Sequence, residues 1–468
     1  MKTYKKIIYL PIETKSREFD SKCLIGLECI NQGVAVILSA AGRMRLEHPG
    51  VVLLKSAAGF EMAAIENFKS RQISCVVIDE EGFVQTENDI QRSLRYSQET
   101  LSAVDKVMFN GQSEHDLMNK YYNIPSDKCV ITGNPRLDFY KPKLREYYKP
   151  YADRIKRKYG PYILITSRFG EVNSARKVGY IDFLKNIRLI KNESELEIFS
   201  LFLAHSKKIY TELLNLLPQL ATEFKDYTII VRPHPSELAD NWIVAGKESK
   251  NIKVVSEGPI GPWLLGADAV LHNGCTTGLE AFLMDRPVFS YMPTVSDEFD
   301  LKLPNKVSIE CYDKDSLIRR MREILGVGDS FKSASIDGFN EKLEYAELFM
   351  RNAGQQYAYQ NIAHELVKLS VNLPDIDIDL FNKPTSWKLK SKLRKFIGLV
   401  AAKAYKNGIE LPENISNYGY AIKKNPGFSM REVRNNLNKL SGLVKQDLKN
   451  VVIIKLDEDA FLAYKKND

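Results

Sequence analysis

Cysteine is scarce in these 468 residues and forms no pattern: Cys23, Cys29, Cys75, Cys129, Cys275 and Cys311 are scattered, with no Cys-x-x-Cys pair and no histidine at zinc spacing. That argues against a disulfide framework or a structural metal and fits reduced, mostly buried thiols. Long apolar runs are missing too. The longest, such as 7–12, fall well short of the roughly 20 residues a spanning helix needs. Lys2, Lys5 and Lys6 precede that run, but Pro11 and Glu13 break it and no small-residue cleavage site follows, so a cytoplasmic location is expected. There is no internal repeat, no low-complexity tract and no nucleic-acid module.

Acidic residues are absent between 380 and 409, where Lys383, Lys388, Lys390, Lys392, Arg394, Lys395, Lys403 and Lys406 all fall. Leu389, Leu393, Phe396, Ile397 and Val400 recur there at helical spacing, giving an apolar stripe beside a cationic face. Two readings fit: a helix lying on an anionic leaflet, or a helix docked on the body with a solvated basic side. The net charge of +8 owes much to this stretch.

What is present is an α/β pattern too long for one core, with 44% hydrophobic and 27% charged residues. Strands are expected at 6–12, 34–39, 51–55, 74–78, 106–110 and 129–132, with helices at 21–31 and 59–69 between them. A charged, Tyr-rich linker at 140–159 leads to a second series with strands at 162–166, 228–231, 252–255, 269–271 and 287–291. Helices are expected at 194–216, 315–324 and 345–369. Two α/β halves facing a crevice make a GT-B architecture: Rossmann-like domains at 1–145 and 146–370, then a basic helical tail at 371–468.

The chain is organised around 228–237, where a β-branched strand stops at Arg232-Pro233-His234-Pro235. The prolines forbid its continuation, so His234 sits on a stiff loop at the carboxyl end of a strand, where parallel sheets bind ligands. The plainer alternative is a rigid turn with a hydrogen-bonded histidine. At 269–284 the pattern is strand, Gly-containing turn, helix; Thr277 and Glu280 have capping-box spacing, and Thr276 and Thr277 add hydroxyl donors beside free amides that suit a phosphate. A cap alone would explain the same residues. In the first half, the 74–78 strand delivers Asp79-Glu80-Glu81 before Gly82, crowded carboxylates of the kind that raise one another's pKa, or a solvated acidic turn. Arg17 and Glu18 follow the first strand, as site residues or as an exposed ion pair, and Asp138 ends the loop Gly-Asn-Pro-Arg-Leu-Asp, as a catalytic group or as a cap.

Glu80-Glu81-Gly82, His234-Pro235 and Thr276-Thr277, in that order, resemble the three motifs of bacterial sialyltransferases and related enzymes using CMP-activated sugars. The opening Pro-Ile-Glu-Thr-Lys-Ser-Arg-Glu-Phe-Asp, the 133–138 loop and Leu303-Pro304 to Ser308 are similar to a narrower group, surface-carbohydrate biosynthesis proteins that include retaining β-Kdo transferases. The resemblance spans about 6–370. It implies a glycosyltransferase moving Kdo, or pseudaminic, legionaminic or sialic acid, from a CMP donor to a surface-polysaccharide acceptor of capsule or lipopolysaccharide type. It implies no cofactor and no metal, since the CMP-sugar is a substrate.

Under that reading Arg232, His234, Thr276, Thr277, Glu280, Ser167, Arg168 and Asn173 hold the donor, and Arg17 and Glu18 meet sugar or acceptor. Glu81 or Glu80 serves as acid/base, His234 stabilises the leaving phosphate, and Asp138 is the expected nucleophile of a retaining route. Expected partners are a lipid-linked glycan acceptor and the inner-membrane surface, with no nucleic acid. Three alternatives stay open: a CDP-polyol phosphotransferase of teichoic-acid type, a UDP-sugar epimerase, and a non-catalytic glycan-assembly scaffold.

Overall fold

A computed structural model describes residues 3–41, 46–80, 95–175, 179–186, 189–326, 338–381, 396–400, 403–404 and 425–466. The chain forms two units, one of Met1–Phe139 with Leu348–Asp468, the other of Tyr140–Glu347. Each is Rossmann-like, as the α/β, GT-B reading expects.

Unit 1 starts with a short strand β1 (Tyr4–Lys5), then β2 (Ile7–Ile12), helix α1 (Lys15–Asn31), β3 (Ala35–Ala40), β4 (Gly50–Leu54) and β5 (Ile73–Ile78). β6 (Lys106–Phe109) and β7 (Cys129–Ile131) follow. The apolar residues of β2, β3, β4, β5 and β6 are nearly all buried, on both faces, as a parallel sheet with helical cover requires. α1 begins six residues before the expected start, because the Glu18 carboxylate turns back to accept the Glu13 and Thr14 amides at 2.7 and 3.0 Å. That supplies orphan donors at the helix entry with acceptors, which an apolar pattern does not reveal.

The chain then builds unit 2 from β8 (Tyr162–Thr166), the long α2 (Glu193–Glu223), β9 (Thr228–Arg232), β10 (Ile252–Val254), β11 (Ala269–His272), α3 (Thr277–Leu283), β12 (Val288–Tyr291), β13 (Ile309–Cys311) and α4 (Lys314–Leu325). Its sheet has the order β10-β9-β8-β11-β12-β13, all parallel. α2 starts at Glu193, capped by Asn192, whose side chain accepts the Glu195 amide; it also runs through Pro218 past the expected end at 216.

At Leu348 the chain returns to unit 1, where α5 (Ala358–Ser370) packs on α1 and β14 (Ile376–Asp377) pairs with β1. This corrects the boundary placed at 370, since no local pattern says which sheet a helix will cover. The tail is corrected as well. Residues 425–466 form α6 (Met430–Val444), opened by a Ser429/Glu432 capping box, and a hairpin of β15 (Val451–Asp457) and β16 (Ala460–Lys465). β16 joins β3 antiparallel, Leu462 opposite Ile37, and completes an eight-stranded sheet of order β15-β16-β3-β2-β4-β5-β6-β7. Most of the basic helix expected at 380–409 lies outside the described residues; 396–400 is helical, with Phe396, Ile397, Leu399 and Val400 exposed. Among the described residues no helix is long and apolar enough to cross a membrane.

Candidate functional site

In unit 2 the carboxyl ends of the neighbouring strands β9, β8 and β11 carry the loops the sequence singled out, and one carboxylate ties the first two together. Glu237, buried, accepts from the Ser167 hydroxyl at 2.6 Å, the Phe169 amide at 2.9 Å, the His234 amide at 3.2 Å and the Trp242 indole at 3.2 Å. Sequence reasoning missed it. Its only signal was an acid three residues after an exposed histidine.

His234 is exposed on this scaffold. The Ser236 amide donates to its Nδ1 at 3.2 Å, and the Ser236 hydroxyl lies 2.7 Å from the same atom. An Nδ1 that accepts leaves the proton of the neutral ring on Nε2, making that nitrogen the donor. Arg168 is half-buried, and its Nε donates to the Asn273 carbonyl at 3.2 Å, setting the guanidinium beside Gly274 at the β11–α3 turn. Gly274 has φ +54, a left-handed conformation that keeps this turn tight. Below it His272 is fully buried between the Cys275 amide, which donates to Nδ1, and the Ser308 hydroxyl at 2.8 Å from Nε2. Burial and then the Arg168 charge push its pKa down to about 3.

Several expected donor ligands are structural. Arg232 turns away: its guanidinium donates to the Glu257 and Gly258 carbonyls at 2.7 and 2.9 Å and lies over the Trp263 ring, and burial lowers its pKa to about 10. Asn173 braces a loop, donating to the Leu238 carbonyl at 2.7 Å. The Thr277 hydroxyl meets that of Thr166 at 2.7 Å, and the expected capping box does not form; Thr276 holds the N-cap position with no side-chain cap. Glu280 is buried on α3. Ser167, also buried, is spent on Glu237. Of the expected donor residues, His234 is exposed and Arg168 and Thr276 are half-buried at these strand ends, while Arg232, also half-buried, is committed to the Glu257 and Gly258 carbonyls.

In unit 1 the carboxyl ends of β2 and β5 bring Glu18, Lys22 and Glu80 together. Lys22 Nζ lies 2.6 Å from Glu80 Oε1, with the two side chains 1% and 2% exposed. Lys55 adds contacts to Glu13 at 2.5 Å and Glu18 at 3.6 Å. Burial and then the Glu80 charge push the Glu18 carboxyl above its usual range, so it holds its proton more readily than an ordinary glutamate. Arg17 is exposed while Glu18 is buried, so the two do not form the exposed pair considered from sequence. Glu80 is thus an enclosed partner of Lys22, which corrects its reading as an acid/base; Glu81 lies outside the described residues. Asp79 is held by Arg95 at 2.9 and 2.7 Å.

The 133–138 loop closes on this turn through Asn134 Nδ2 and Arg136 Nη1, each 3.2 Å from the Glu80 carbonyl. Asp138 is fully buried: it accepts from Asn352 Nδ2 at 2.7 Å and from the Ala358 and Tyr359 amides at 3.0 and 2.8 Å. The expected nucleophile is a brace at the start of α5, a pairing over more than two hundred residues that local sequence cannot show. The last part of the chain reaches this edge as well. Asn425 Nδ2 donates to the Ile12 carbonyl at 2.8 Å, and Lys15 Nζ contacts the Gly427 carbonyl at 2.8 Å and Glu432 at 2.6 Å.

Among the described residues no three His, Cys, Asp or Glu side chains are placed to hold a metal ion. No protein-family model matches the chain, and no curated protein does. Solved structures resemble it in fold. The wall teichoic acid polymerase TagF with CDPG shares 12% identity at TM-score 0.47, over 78% of this chain and 88% of that one. MnaA of S. aureus with UDP shares 13% at 0.45, over 78% and 97%. A putative UDP-N-acetylglucosamine 2-epimerase of Listeria monocytogenes shares 13% at 0.46, over 77% and 95%. At this level of likeness the activities of those proteins do not transfer.

Proposed function

We propose that the chain is a glycosyltransferase that moves a 3-deoxy-2-ulosonic acid, Kdo or a nine-carbon relative, from its CMP donor to a surface-polysaccharide acceptor. The supporting observation is the placement of His234 and Arg168 on loops at neighbouring strand ends of unit 2, both fixed from beneath, by Glu237 and by the Asn273 carbonyl. A departing CMP leaves with growing phosphate charge. A fixed guanidinium and an Nε2–H donor stabilise that charge without having to reorganise as it develops, and donors held in place beforehand are the main means by which such a site lowers its barrier.

In this proposal an acceptor hydroxyl oxygen attacks the anomeric carbon, the bond to the phosphate oxygen breaks, and its electron pair leaves with CMP. The hydroxyl proton passes to a carboxylate, for which Glu81 is the sequence candidate. With Asp138 committed to backbone amides, a retaining route lacks the nucleophile assigned to it.

Thermal shift with CMP, CDP and UDP on wild type, His234→Ala and Arg168→Ala tests the reading. Selective stabilisation by CMP that both substitutions remove supports it. Selectivity for CDP overturns it toward polyol-phosphate transfer, and selectivity for UDP toward an epimerase. No response to any nucleotide makes the chain a glycan-assembly scaffold.

A further inference from the structure

Outside the carboxyl ends of β12 and β13, unit 2 holds a cavity of about 840 Å³ that the donor reading leaves unused. Tyr291, the last residue of β12, and Tyr312, just after β13, contribute to its lining. α2 adds Lys207, Lys208 and Thr211, and α4 adds Lys314. The cavity lies on the same sheet edge as the His234 and Arg168 loops, on the strands next to β11, and the two places are joined by Asn273, whose Nδ2 donates to the Tyr291 carbonyl at 2.7 Å. Ligands of open parallel sheets bind at this edge, and the volume falls within the range of about 300–1,000 Å³ usual for small-molecule sites.

The lining has a definite chemistry. Lys207, Lys208 and Lys314 line it together with the two carboxylates Glu212 and Asp313. Asp313 is engaged as the cap of α4, accepting the Ser316 amide at 2.8 Å, and the Arg319 charge reaches it. Arg320 and Arg319 also act on Cys311, at the end of β13, so two further cations lie near this wall beside the Asp313 carboxylate. Tyr291 keeps its phenol proton, since burial followed by the Glu212 and Asp313 charges raises its pKa to about 12, and it remains a donor. Tyr312 is half-exposed, its hydroxyl held by Glu310 at 3.0 Å, leaving ring surface for the apolar face of a sugar. Cations, hydroxyl donors and an aromatic ring together suit a charged saccharide better than an apolar ligand.

We infer that this cavity is a subsite for an anionic sugar unit of the acceptor glycan, carboxylated or phosphorylated, beside the donor loops; the inference rests on reading unit 2 as the donor-binding unit. The subsite holds a growing chain by its charge while the terminal hydroxyl reacts elsewhere.

Calorimetric titration of the full chain with three short oligomers tests it: α2,8-linked sialic acid, glycerol phosphate and neutral maltose units. The expected result is binding of the sialic acid or the glycerol phosphate oligomer, whichever anion the site takes, with affinity falling as salt rises and none for the neutral oligomer. Lys207→Ala with Lys314→Ala, and separately Tyr312→Ala, should weaken that binding at least about tenfold, or roughly 1.4 kcal/mol. All these side chains are exposed, and an unchanged melting temperature confirms that the variants fold. Equal binding of the neutral oligomer, wild-type affinity in the variants, or no binding of either anionic oligomer overturns the subsite. Anionic binding lost in the variants, in a protein that CMP does not stabilise, upholds the saccharide site while the donor reading fails.

Discussion

Lys22 Nζ and Glu80 Oε1 sit 2.6 Å apart with neither side chain reaching solvent. An ion pair so enclosed is held by its own attraction against the cost of removing two charges from water. Removing one partner leaves the other charge stranded, whereas removing both is tolerated. Lys22→Met alone should cost about 3–5 kcal/mol in urea unfolding, and the added change Glu80→Leu should restore most of it. A single substitution costing under about 1 kcal/mol would mean that water reaches the pair.

Asp138→Asn separates a brace from a nucleophile. The carboxylate accepts two backbone amides and the Asn352 side chain, so the amide should lose roughly 2–3 kcal/mol of stability while transfer activity persists in the folded fraction. Abolished turnover with an unchanged melting temperature would restore the catalytic assignment.

Glu237→Gln puts an amide nitrogen where all the neighbours donate. Ser167, Phe169, His234 and Trp242 compete for one oxygen, so the His234 loop should loosen. The expected outcome is a lower melting temperature with loss of nucleotide stabilisation, read in one thermal-shift series. Nucleotide stabilisation equal to wild type would show that His234 needs no such support.

The buried His272 gives stability an acid limb. Its folded pKa of about 3 lies below the reference 6.5, so the unfolded chain takes up the proton first. Its contribution is complete above about pH 6.5 and is lost as pH falls toward 3, by at most about 1.4 kcal/mol per pH unit. Glu114, which burial raises to about 7, works in the opposite sense: its contribution is complete below about 4.5 and fades as pH rises through 7. His272→Gln should flatten the acid limb of urea midpoints measured across this range. An unchanged limb would assign the loss to other groups.

Local pattern carried much of the fold. Each expected strand is present, and those of 6–12, 162–166 and 269–271 end within a residue or two of β2, β8 and β11, because short apolar runs between polar or turn-forming residues need no distant information. What escaped was long-range. Asp138 found its amides on α5, and the 371–468 tail looked like an appendage because a hairpin beyond α6 shows nothing of the strand it joins. In the strand-end loops of unit 2 the exposed histidine was legible from its flanking prolines. The carboxylate beneath it was not, since Glu237 looks like any exposed acid until Trp242 and Phe169 close over it.

The hairpin that completes the unit 1 sheet has a consequence for synthesis of the chain. β16 covers β3, yet it is translated after the whole of unit 2, so β3 emerges from the ribosome with an open, apolar edge. Unit 2, continuous from Tyr140 to Glu347, has every strand of its sheet available well before then. The sheet of unit 2 can thus be complete while the six earlier strands of the unit 1 sheet wait with an unpaired flank on β3 that other nascent strands can capture.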